Sequence, residues 1–382
     1  MRLDVSDHLD SNRKILLGSY YTPRKYVDAV AEWLGDSVEK EEVILDPSCG
    51  YGAFFALAEY FPTARYIGND IDRLAVEQAM ANFPFAEFHC FSALKDISRE
   101  KYGILKSNKL TIVGNPPYND TTSLIGKGLK KSSDDDMDAD IRTRDLGMSS
   151  LLAYDKLNAD RVAVLHPLSY LIKKANHKAC GRFFMNYSLK EHVIFSSQEF
   201  VGTSKSTGFP VIVAFYERNP GKGLSYDEVL KTTFHTVEGD EFKLDDMEFV
   251  TDMVEKYPND SDKSLFFSGY YFYTLRDINA LHRCRTFLEG KCANAVAITT
   301  DQLPYYHYID AFKSLAQIPY WAGNLNIPFR KDGFQKIVKI AERYSKSMHP
   351  EIFGKCDPPS NDEVFILKEY IASSLKNKNG KS

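Results

Sequence analysis

The chain has 382 residues, 43% of them hydrophobic, and a formal net charge of -4. This length exceeds what one compact core usually holds, so we expect two domains or one large domain with an appendage. No apolar run approaches the roughly 20 residues that cross a bilayer, the N-terminus has no secretory segment, and the scattered cysteines form no CxxC pair. We therefore expect a cytoplasmic protein without membrane contact, metal site or disulfide framework.

Short apolar runs alternate with helical patterns through the first half of the chain. In chain order, the predicted strands and helices are strand Val43–Leu45, helix Ala53–Tyr60, strand Arg65–Gly68, helix Arg73–Asn82, strand Leu110–Val113, helix Leu146–Asn158, strand Val162–Leu165 and strand Phe209–Tyr216. This alternation predicts an α/β fold with a doubly wound, mostly parallel sheet. It is lost after Arg218, which predicts a boundary near Pro220 between domains 1–219 and 220–382.

A glycine turn follows the first predicted strand. It contains Asp46, Pro47, Ser48, Gly50 and Gly52. A Cβ at either glycine would obstruct a ligand lying on the backbone, and the third glycine of the dinucleotide fingerprint is absent. An acidic residue that enters the turn suits a sulfonium and an amino acid better than a pyrophosphate. The turn therefore favours S-adenosylmethionine over a nicotinamide cofactor.

Asp70 stands at the end of the second predicted strand, 24 positions after Asp46. From there its carboxylate can accept hydrogen bonds from both ribose hydroxyls of a nucleoside cofactor. Ile71, the next residue, can pack against the adenine ring. A glycine turn alone is more often structural, but together with Asp70 it indicates a cofactor site.

The tetrapeptide Asn115-Pro116-Pro117-Tyr118 follows the strand Leu110–Val113, at the end where open α/β sheets bind ligands. An amine on an aromatic ring is a poor nucleophile because its lone pair is delocalised into the ring. The carbonyl oxygens of the Asn115 side chain and the Pro116 backbone can each accept one amine N–H, which directs the lone pair toward a methyl group. The prolines fix the spacing of these acceptors, and Tyr118 offers a face on which a base can stack.

The glycine turn, Asp70 and the tetrapeptide follow one another along the chain. In this order they resemble the corresponding segments of the amino-methyltransferases of nucleic acids, specifically the gamma-class N6-adenine DNA methyltransferases of restriction-modification systems. The resemblance covers about the first 218 residues. It implies a Rossmann-like methyltransferase fold, S-adenosylmethionine as cofactor, and double-stranded DNA as partner with the target base turned out of the duplex. It also implies a C-terminal target-recognition region and, where the system includes one, a cognate restriction endonuclease as a separate protein.

The resemblance assigns further site residues. Tyr21 and Thr22 match the cofactor-contacting segment before the glycine turn. Relatives often carry an acidic residue before a Phe after the third strand, and because this chain has none, Phe91 alone is expected as a contact there. Relatives also hold the target base between the motif tyrosine and a later aromatic residue. Phe200 is the expected residue and Phe209 its competitor, while a plain core phenylalanine is an equally open interpretation.

The region 220–382 is predicted to recognise DNA. The formal net charge of the whole chain is a poor guide to DNA binding, because phosphates respond to the local distribution of Lys and Arg. Asn can pair with adenine edges and Arg with guanine edges, so Asn324, Asn326 and Arg330 are candidates for base readout. For most aromatic residues of this region the core interpretation is favoured.

Other substrates remain open at this point, since all enzymes that methylate a planar amine can use an Asn-Pro-Pro-Tyr motif. Methyltransferases of release-factor glutamine carry a helical domain before the turn and end soon after the motif, so DNA fits this chain better. RNA adenine methylation stays the main rival, and N4-cytosine methylation a smaller one, since such enzymes more often begin the motif with Ser. The intact Gly50, Gly52, Asn115 and Tyr118 argue against a non-catalytic modification subunit.

Overall fold

The computed structural model describes residues 22–118, 137–200, 208–259 and 265–376. The chain forms two compact units. The first lies within residues 1–206, 211–229 and 235–237, and the second within residues 207–210, 230–234 and 238–382. The first unit thus continues beyond Pro220, where the sequence predicts a domain boundary. The assignment of catalysis to residues 1–219 and of target recognition to residues 220–382 stays a prediction.

Seven strands form the central sheet: β1 (Val43–Asp46), β2 (Arg65–Asn69), β3 (Glu87–His89), β4 (Leu110–Gly114), β5 (Arg161–Pro167), β6 (Tyr187–Ser196) and β7 (Pro210–Arg218). Their order is β3-β2-β1-β4-β5-β7-β6. Strands β3, β2, β1, β4 and β5 are mutually parallel, and β7 runs antiparallel to β5. The strand order reverses between β1 and β4. This topology confirms the predicted doubly wound, mostly parallel sheet, in which ligands bind at the carboxyl ends of the strands beside the reversal.

The inner strands are apolar because helices cover both faces of the sheet. Strands β1, β4 and β5 are buried along their whole length, as parallel strands between two helical layers are. The predicted helix Ala53–Tyr60 is a 3₁₀ helix over Ala53–Glu59. The α-helices that follow or precede these strands are α1 (Arg24–Leu34), α2 (Arg73–Asn82), α3 (Leu146–Lys156), α4 (Ser169–Ile172), α5 (Lys174–Ala179), α6 (Gly181–Asn186) and α7 (Tyr226–Lys231).

A buried ion pair fixes the amino ends of the strands, at the edge opposite the carboxyl ends. The Arg161 guanidinium donates to the Glu42 carboxylate. The Thr111 hydroxyl donates to the same carboxylate at 2.6 Å and accepts from Arg161 Nε at 3.1 Å. Loss of one charged partner would leave the other unpaired, at a cost of about 3–5 kcal/mol. This cluster therefore stabilises the pairing of β1, β4 and β5.

The remaining described elements belong mainly to the second unit. They are β8 (Thr233–His235), β9 (Glu241–Lys243), β10 (Glu248–Phe249), β11 (Phe267–Tyr273), β12 (Phe287–Leu288), β13 (Ala295–Thr299), β14 (Pro328–Phe329), α8 (Ile278–Leu281), α9 (Leu303–Leu315), α10 (Lys331–Met348), α11 (Pro350–Phe353) and α12 (Asn361–Ser374). Strand β11 pairs antiparallel with β12 and β13. Helices α9, α10 and α12 enclose aromatic side chains, with Tyr308 against Phe334 and Tyr370. This packing accords with the core interpretation of the C-terminal aromatic residues.

Candidate active site

The parallel pairing brings three predicted site segments to one edge of the sheet. Strand β1 lies between β2 and β4. Asp46 ends β1, Asp70 follows β2, and Asn115 follows β4. Because the carboxyl ends of parallel strands meet at the same edge, the glycine turn and the tetrapeptide are neighbours, although more than 60 residues of sequence separate them.

Asp46 is buried at the end of β1. Its Oδ1 atom accepts the backbone N–H of Ser48 at 3.1 Å, which holds the carboxylate inside the turn. A Cβ on Gly114 would lie 3.3 Å from this oxygen, so the last residue of β4 passes directly beside it. Burial raises the pKa of the Asp46 carboxyl well above its usual value, and the charge of Asp70 adds to the rise. A cation entering the crevice would stabilise the ionised form.

The two glycines of the turn have different roles. Both adopt left-handed conformations, with φ of 49° at Gly50 and 85° at Gly52. A Cβ on Gly50 would meet no atom of the described residues within 4 Å, so these residues leave space beside its backbone that a ligand can occupy. A Cβ on Gly52 would lie 2.7 Å from the Phe55 ring and 2.9 Å from the Phe83 ring. Packing and conformation, rather than the predicted room for a ligand, therefore require glycine at position 52.

Asp70 connects the end of β2 to the glycine turn. Its Oδ2 atom accepts the Gly50 N–H at 2.8 Å, and its Oδ1 atom accepts the Asp72 N–H at 2.9 Å. Burial raises the pKa of the Asp70 carboxyl, while these two hydrogen bonds act to lower it. Each carboxylate oxygen can accept a further bond, such as one from a ribose hydroxyl. Ile71 is 59% exposed, so its side chain is accessible for the predicted packing against adenine.

Asn69 is a site residue that the sequence analysis does not predict. It is the last residue of β2 and is fully buried. Its Nδ2 atom donates to the carbonyl oxygens of Pro47 and Phe91, each at 3.0 Å, and its Oδ1 atom accepts the Phe91 N–H at 3.1 Å. A polar residue that ends a strand gives no sequence signal of such contacts, because loops from β1 and β3 supply the partners.

The side-chain amide of Asn115 is held at both of its polar atoms. Its Nδ2 atom donates to the Thr22 hydroxyl at 3.2 Å, and its Oδ1 atom accepts from the Tyr118 hydroxyl. Thr22 is buried just before α1, so this contact joins the start of α1 to the end of β4. The sequence predicts Thr22 as a cofactor contact and does not predict its bond to Asn115. Pro116 is buried and Pro117 half-buried between the two motif side chains.

A second polar pair that the sequence does not predict lies near Tyr118. The Tyr170 hydroxyl donates to Asp145, whose carboxylate also accepts the N–H groups of Gly147 and Met148 at the start of α3. Burial raises the pKa of the Tyr170 phenol, and the charge of Asp145 and the phenol of Tyr118 add to the rise. This pair fixes the amino end of α3 close to the tetrapeptide.

The structure favours the core interpretation of Phe200. Its ring is buried and packs edge-on against Phe195, with ring centroids 5.4 Å apart. Phe195 in turn stacks on Tyr26 of α1 at 4.0 Å. Phe209 is half-buried. Tyr21, the other predicted aromatic contact of this region, lies outside the described residues.

Two of the three predicted base readers make structural contacts within the second unit. Arg330 donates to the carbonyl oxygens of Ser373 and Lys376, at 2.8 and 3.0 Å, and so caps the carboxyl end of α12. Asn326 accepts from the Lys256 ammonium at 2.9 Å. The Oδ1 atom of Asn324 is buried, and none of the described residues donates a hydrogen bond to it. The sequence does not predict the capping role of Arg330.

The sequence predicts no disulfide framework, metal site or membrane contact, and the described ranges bear on each of these three features. All six cysteines have free thiols. In these ranges no group of three or more His, Cys, Asp or Glu side chains is arranged to hold a metal ion. No helix within them combines the length and the apolar character needed to cross a membrane.

A family model for N-6 DNA methylases matches residues 7–269, more than half of the chain. The chain belongs to the N-6 DNA methylase family. This membership confirms the prediction of a methyltransferase that uses S-adenosylmethionine as its cofactor. No curated protein is significantly similar to the chain in sequence.

Solved structures of methyltransferases are similar to about half of the chain at low identity. TrmN from Thermus thermophilus is 16% identical, with 51% of this chain and 48% of that chain covered and a TM-score of 0.33. A TehB-like SAM-dependent methyltransferase from Corynebacterium glutamicum is 16% identical, with 51% and 86% covered and a TM-score of 0.30. The magnesium protoporphyrin IX methyltransferase ChlM from Synechocystis PCC 6803, with bound SAH, is 14% identical, with 56% and 90% covered and a TM-score of 0.34. The functional assignment therefore rests on the family match and on the site geometry.

Proposed function

We propose that this chain is a site-specific DNA methyltransferase that methylates the N6 amino group of adenine and serves as the modification enzyme of a restriction-modification system. The position of the Asn115 amide carries this proposal. The amide stands at the carboxyl end of β4, between Thr22 and Tyr118, and the preceding residue, Gly114, passes beside the Asp46 carboxylate. Membership in the N-6 DNA methylase family supports adenine N6 in DNA as the acceptor.

The residues at the edge of the sheet fit a cationic nucleoside cofactor. S-adenosylmethionine supplies an electrophilic methyl group on a sulfonium. The buried Asp46 carboxylate favours a positive charge nearby, and the backbone of Gly50 borders open space. Asp70 would accept the ribose hydroxyls, and Ile71 would cover the adenine. The other proposed contacts are Tyr21, Thr22, Pro47, Ser48, Gly52 and Phe91.

In the proposed reaction, Asn115 and Pro116 prepare the amine of the target adenine. The Asn115 side-chain oxygen accepts one amine N–H and the Pro116 carbonyl oxygen accepts the other, so the nitrogen lone pair turns toward the methyl group. A carbonyl oxygen has two lone pairs, so Asn115 can accept this bond beside or in place of the Tyr118 hydroxyl. On transfer, the new bond from nitrogen to the methyl carbon would replace the bond from that carbon to sulfur, and the neutral thioether S-adenosylhomocysteine would leave. The methylated nitrogen would then lose a proton to solvent, since neither carbonyl is basic enough to retain it.

The target adenine must leave the duplex to reach this edge, because a paired amine inside the helix is out of reach. Extrusion costs a few kcal/mol, and stacking on an aromatic face recovers about 1–3 kcal/mol. Tyr118 is the proposed stacking partner. Phe200 could form a second wall only after leaving its contact with Phe195.

Sequence selection is assigned to the region 220–382 as part of this proposal. Arg330 and Asn326 already form hydrogen bonds within the second unit. Asn324 retains a carbonyl oxygen to which no described residue donates. Because this oxygen is buried, Asn324 would contact a base only after its side chain becomes exposed, although it would lose no hydrogen bond from a described residue to that oxygen.

The direct test is transfer of radiolabelled methyl groups from S-adenosylmethionine to duplex DNA, to RNA of the same sequence and to protein, followed by separation of the nucleosides. We expect label in DNA as N6-methyladenine, and its loss in Asn115→Ala. Label in RNA alone, or in N4-methylcytosine, would reject the proposed acceptor. Absence of label from every acceptor, despite cofactor binding, would reject catalysis.

A further inference from the structure

Asn69 joins the two loops that border the proposed cofactor site. Its side chain bonds to Pro47 in the turn after β1 and to Phe91 in the loop after β3. Its backbone carbonyl accepts the Cys49 N–H at 2.8 Å, and the next residue, Asp70, accepts the Gly50 N–H. The Asn69-Asp70 dipeptide therefore holds the glycine turn at three points, Pro47, Cys49 and Gly50.

The chemistry of these contacts requires a carboxamide. The Asn69 side chain donates two hydrogen bonds and accepts one, and a carboxylate or an aliphatic side chain of similar size could not do both. Toward Phe91 it pairs with both the N–H and the C=O group, as a neighbouring strand would. The parallel β2–β3 pairing ends in register at Asn69 and His89, and the Asn69 side chain adds contacts to Phe91, two residues further along the chain.

We infer that Asn69 is a positioning residue for the cofactor and sets the separation between the Asp46–Gly52 turn and Phe91. Both Pro47 and Phe91 accept hydrogens from the single Nδ2 atom, whose planar geometry fixes the directions of the two bonds. Asn69 is fully buried and does not itself reach solvent or ligand. The inference rests on the placement of the cofactor in the proposed function.

The test compares Asn69→Asp and Asn69→Ala with the wild-type chain by calorimetric titration of S-adenosylmethionine without DNA. Asp keeps the size and the acceptor but loses both donors, and its charge would face two carbonyl oxygens. In both variants the binding free energy must include the ordering of a loosened turn and loop, and a cost of about 1.4 kcal/mol for this ordering corresponds to a Kd about tenfold higher. We expect at least this increase, with kcat at saturating cofactor within about threefold of wild type, because the reacting groups are untouched.

Asn176→Ala is the matched control. Asn176 is also buried, and its Nδ2 atom donates to the Ser169 carbonyl oxygen at 3.0 Å. Thermal unfolding should show a loss of stability in both alanine variants, whereas only the Asn69 variants should weaken cofactor binding. Wild-type affinity in Asn69→Asp, a fall in kcat as large as the loss of affinity, or an equal loss of affinity in Asn176→Ala would overturn the inference.

If the Asn69 variants fail to fold, amide hydrogen exchange of the wild-type chain, measured with and without cofactor, tests the inference instead. Cofactor binding should slow exchange at the Cys49 and Phe91 amides together, since both bond to Asn69. Slowing at Cys49 without slowing at Phe91 would reject coupling through Asn69. A wild-type chain that binds no cofactor would reject the proposed function and this inference with it, whereas normal binding in wild type and variants alike would reject the inference alone.

Discussion

The carboxyl edge of the central sheet and the helical core of the second unit both contain buried polar side chains, but their hydrogen bonds are distributed differently. At the sheet edge, Asp46 accepts one N–H beside the open space at Gly50. In the second unit, Asp310 accepts from the Ser345 hydroxyl at 2.8 Å and contacts His349 Nε2 at 3.1 Å. The carboxylate of Asp46 can therefore receive a ligand, while that of Asp310 already has partners from its own fold.

Residue type alone would not reveal this difference. Ser345, His307 and Asp310 are the residue types of a nucleophile, base and acid, and His307 Nδ1 lies 3.0 Å from the Ser345 hydroxyl. They are only 0%, 1% and 4% exposed, so no substrate reaches them. Their hydrogen bonds instead join α9 to α10. A site needs accessible space next to its polar groups, and of these two regions the described residues show such space at the sheet edge.

The largest effect is expected for Asn115→Ala. Removing the acceptor for the amine should lower the single-turnover rate of methyl transfer by about three orders of magnitude, because this interaction strengthens in the transition state. Binding of cofactor and DNA should persist. Asn186→Ala, which removes a hydrogen bond to Asp155 at 2.8 Å, is the control and should keep the wild-type rate. A near-normal rate in Asn115→Ala would show that this edge of the sheet does not carry out the methyl transfer.

The next largest effect is expected for Asp70→Ala on cofactor affinity. The change removes the acceptor of the Gly50 and Asp72 N–H groups and the proposed partner of the ribose hydroxyls. Affinity measured by calorimetry should fall by about 1.5–3 kcal/mol. Asp301→Ala, an exposed position in the second unit, should not alter it. If Asp70→Ala and Asp301→Ala bound the cofactor with equal affinity, the cofactor would not bind at Asp70.

Arg330→Ala should affect stability rather than the methylated sequence. It removes two charge-assisted hydrogen bonds at the end of α12, with an expected cost of about 1–3 kcal/mol in urea unfolding. Arg330→Lys should recover only part of this loss, since an ammonium cannot reproduce the guanidinium fork. If the methylated sequence changed while stability did not, Arg330 would be a base reader and the contrast between the two regions would fail.

The smallest effect is a pH dependence of second-unit stability. The hydrogen bond that His349 donates to Asp310 raises the pKa of His349 above its ordinary value near 6.5, and Glu351 adds to the rise. The stabilisation is fully present below pH 6.5 and is lost as pH rises through the raised pKa. The difference in unfolding free energy between wild type and His349→Gln should therefore be larger at pH 6 than at pH 9, and equal differences would reject the ion pair.

The contribution of His307 to the pH dependence of stability must be distinguished from that of His349. Burial lowers the pKa of its imidazole to about 4. The unfolded chain then takes up a proton near pH 6.5 that the folded chain does not, so this residue lowers stability as pH falls toward 4. Because both proteins in the comparison retain His307, the contribution of its burial cancels, and the remaining dependence belongs to His349, including the effect of its charge on the pKa of His307.

Much of the first unit could be predicted from sequence because its inner strands are buried on both faces and stop at glycine or proline. Strands β1, β2, β4, β5 and β7 lie where the apolar runs predict them. The edge strands β3 and β6 were not predicted. β3 has three residues, and β6 carries exposed Lys190 and Glu191, so neither has the continuous apolar run of an inner strand.

Short motifs in the sequence supply the candidate site residues but not the contacts between them. The spacing of short motifs identified Asp46, Asp70 and Asn115 as candidates. The Thr22–Asn115 bond spans 93 positions, and the role of Asn69 depends on two loops from other strands, so both require the folded chain. In the second unit no motif constrains Arg330, and residue type alone suggested a contact with bases where the structure shows a helix cap.

The most direct test of the central claim is to express the chain alone in a host without DNA methylation and to map modified bases across the genome at single-base resolution, with Asn115→Ala in parallel. The account predicts N6-methyladenine in one fixed sequence context with the wild-type chain and none with the variant. N4-methylcytosine, modification confined to RNA, or equal adenine methylation in both strains would contradict it.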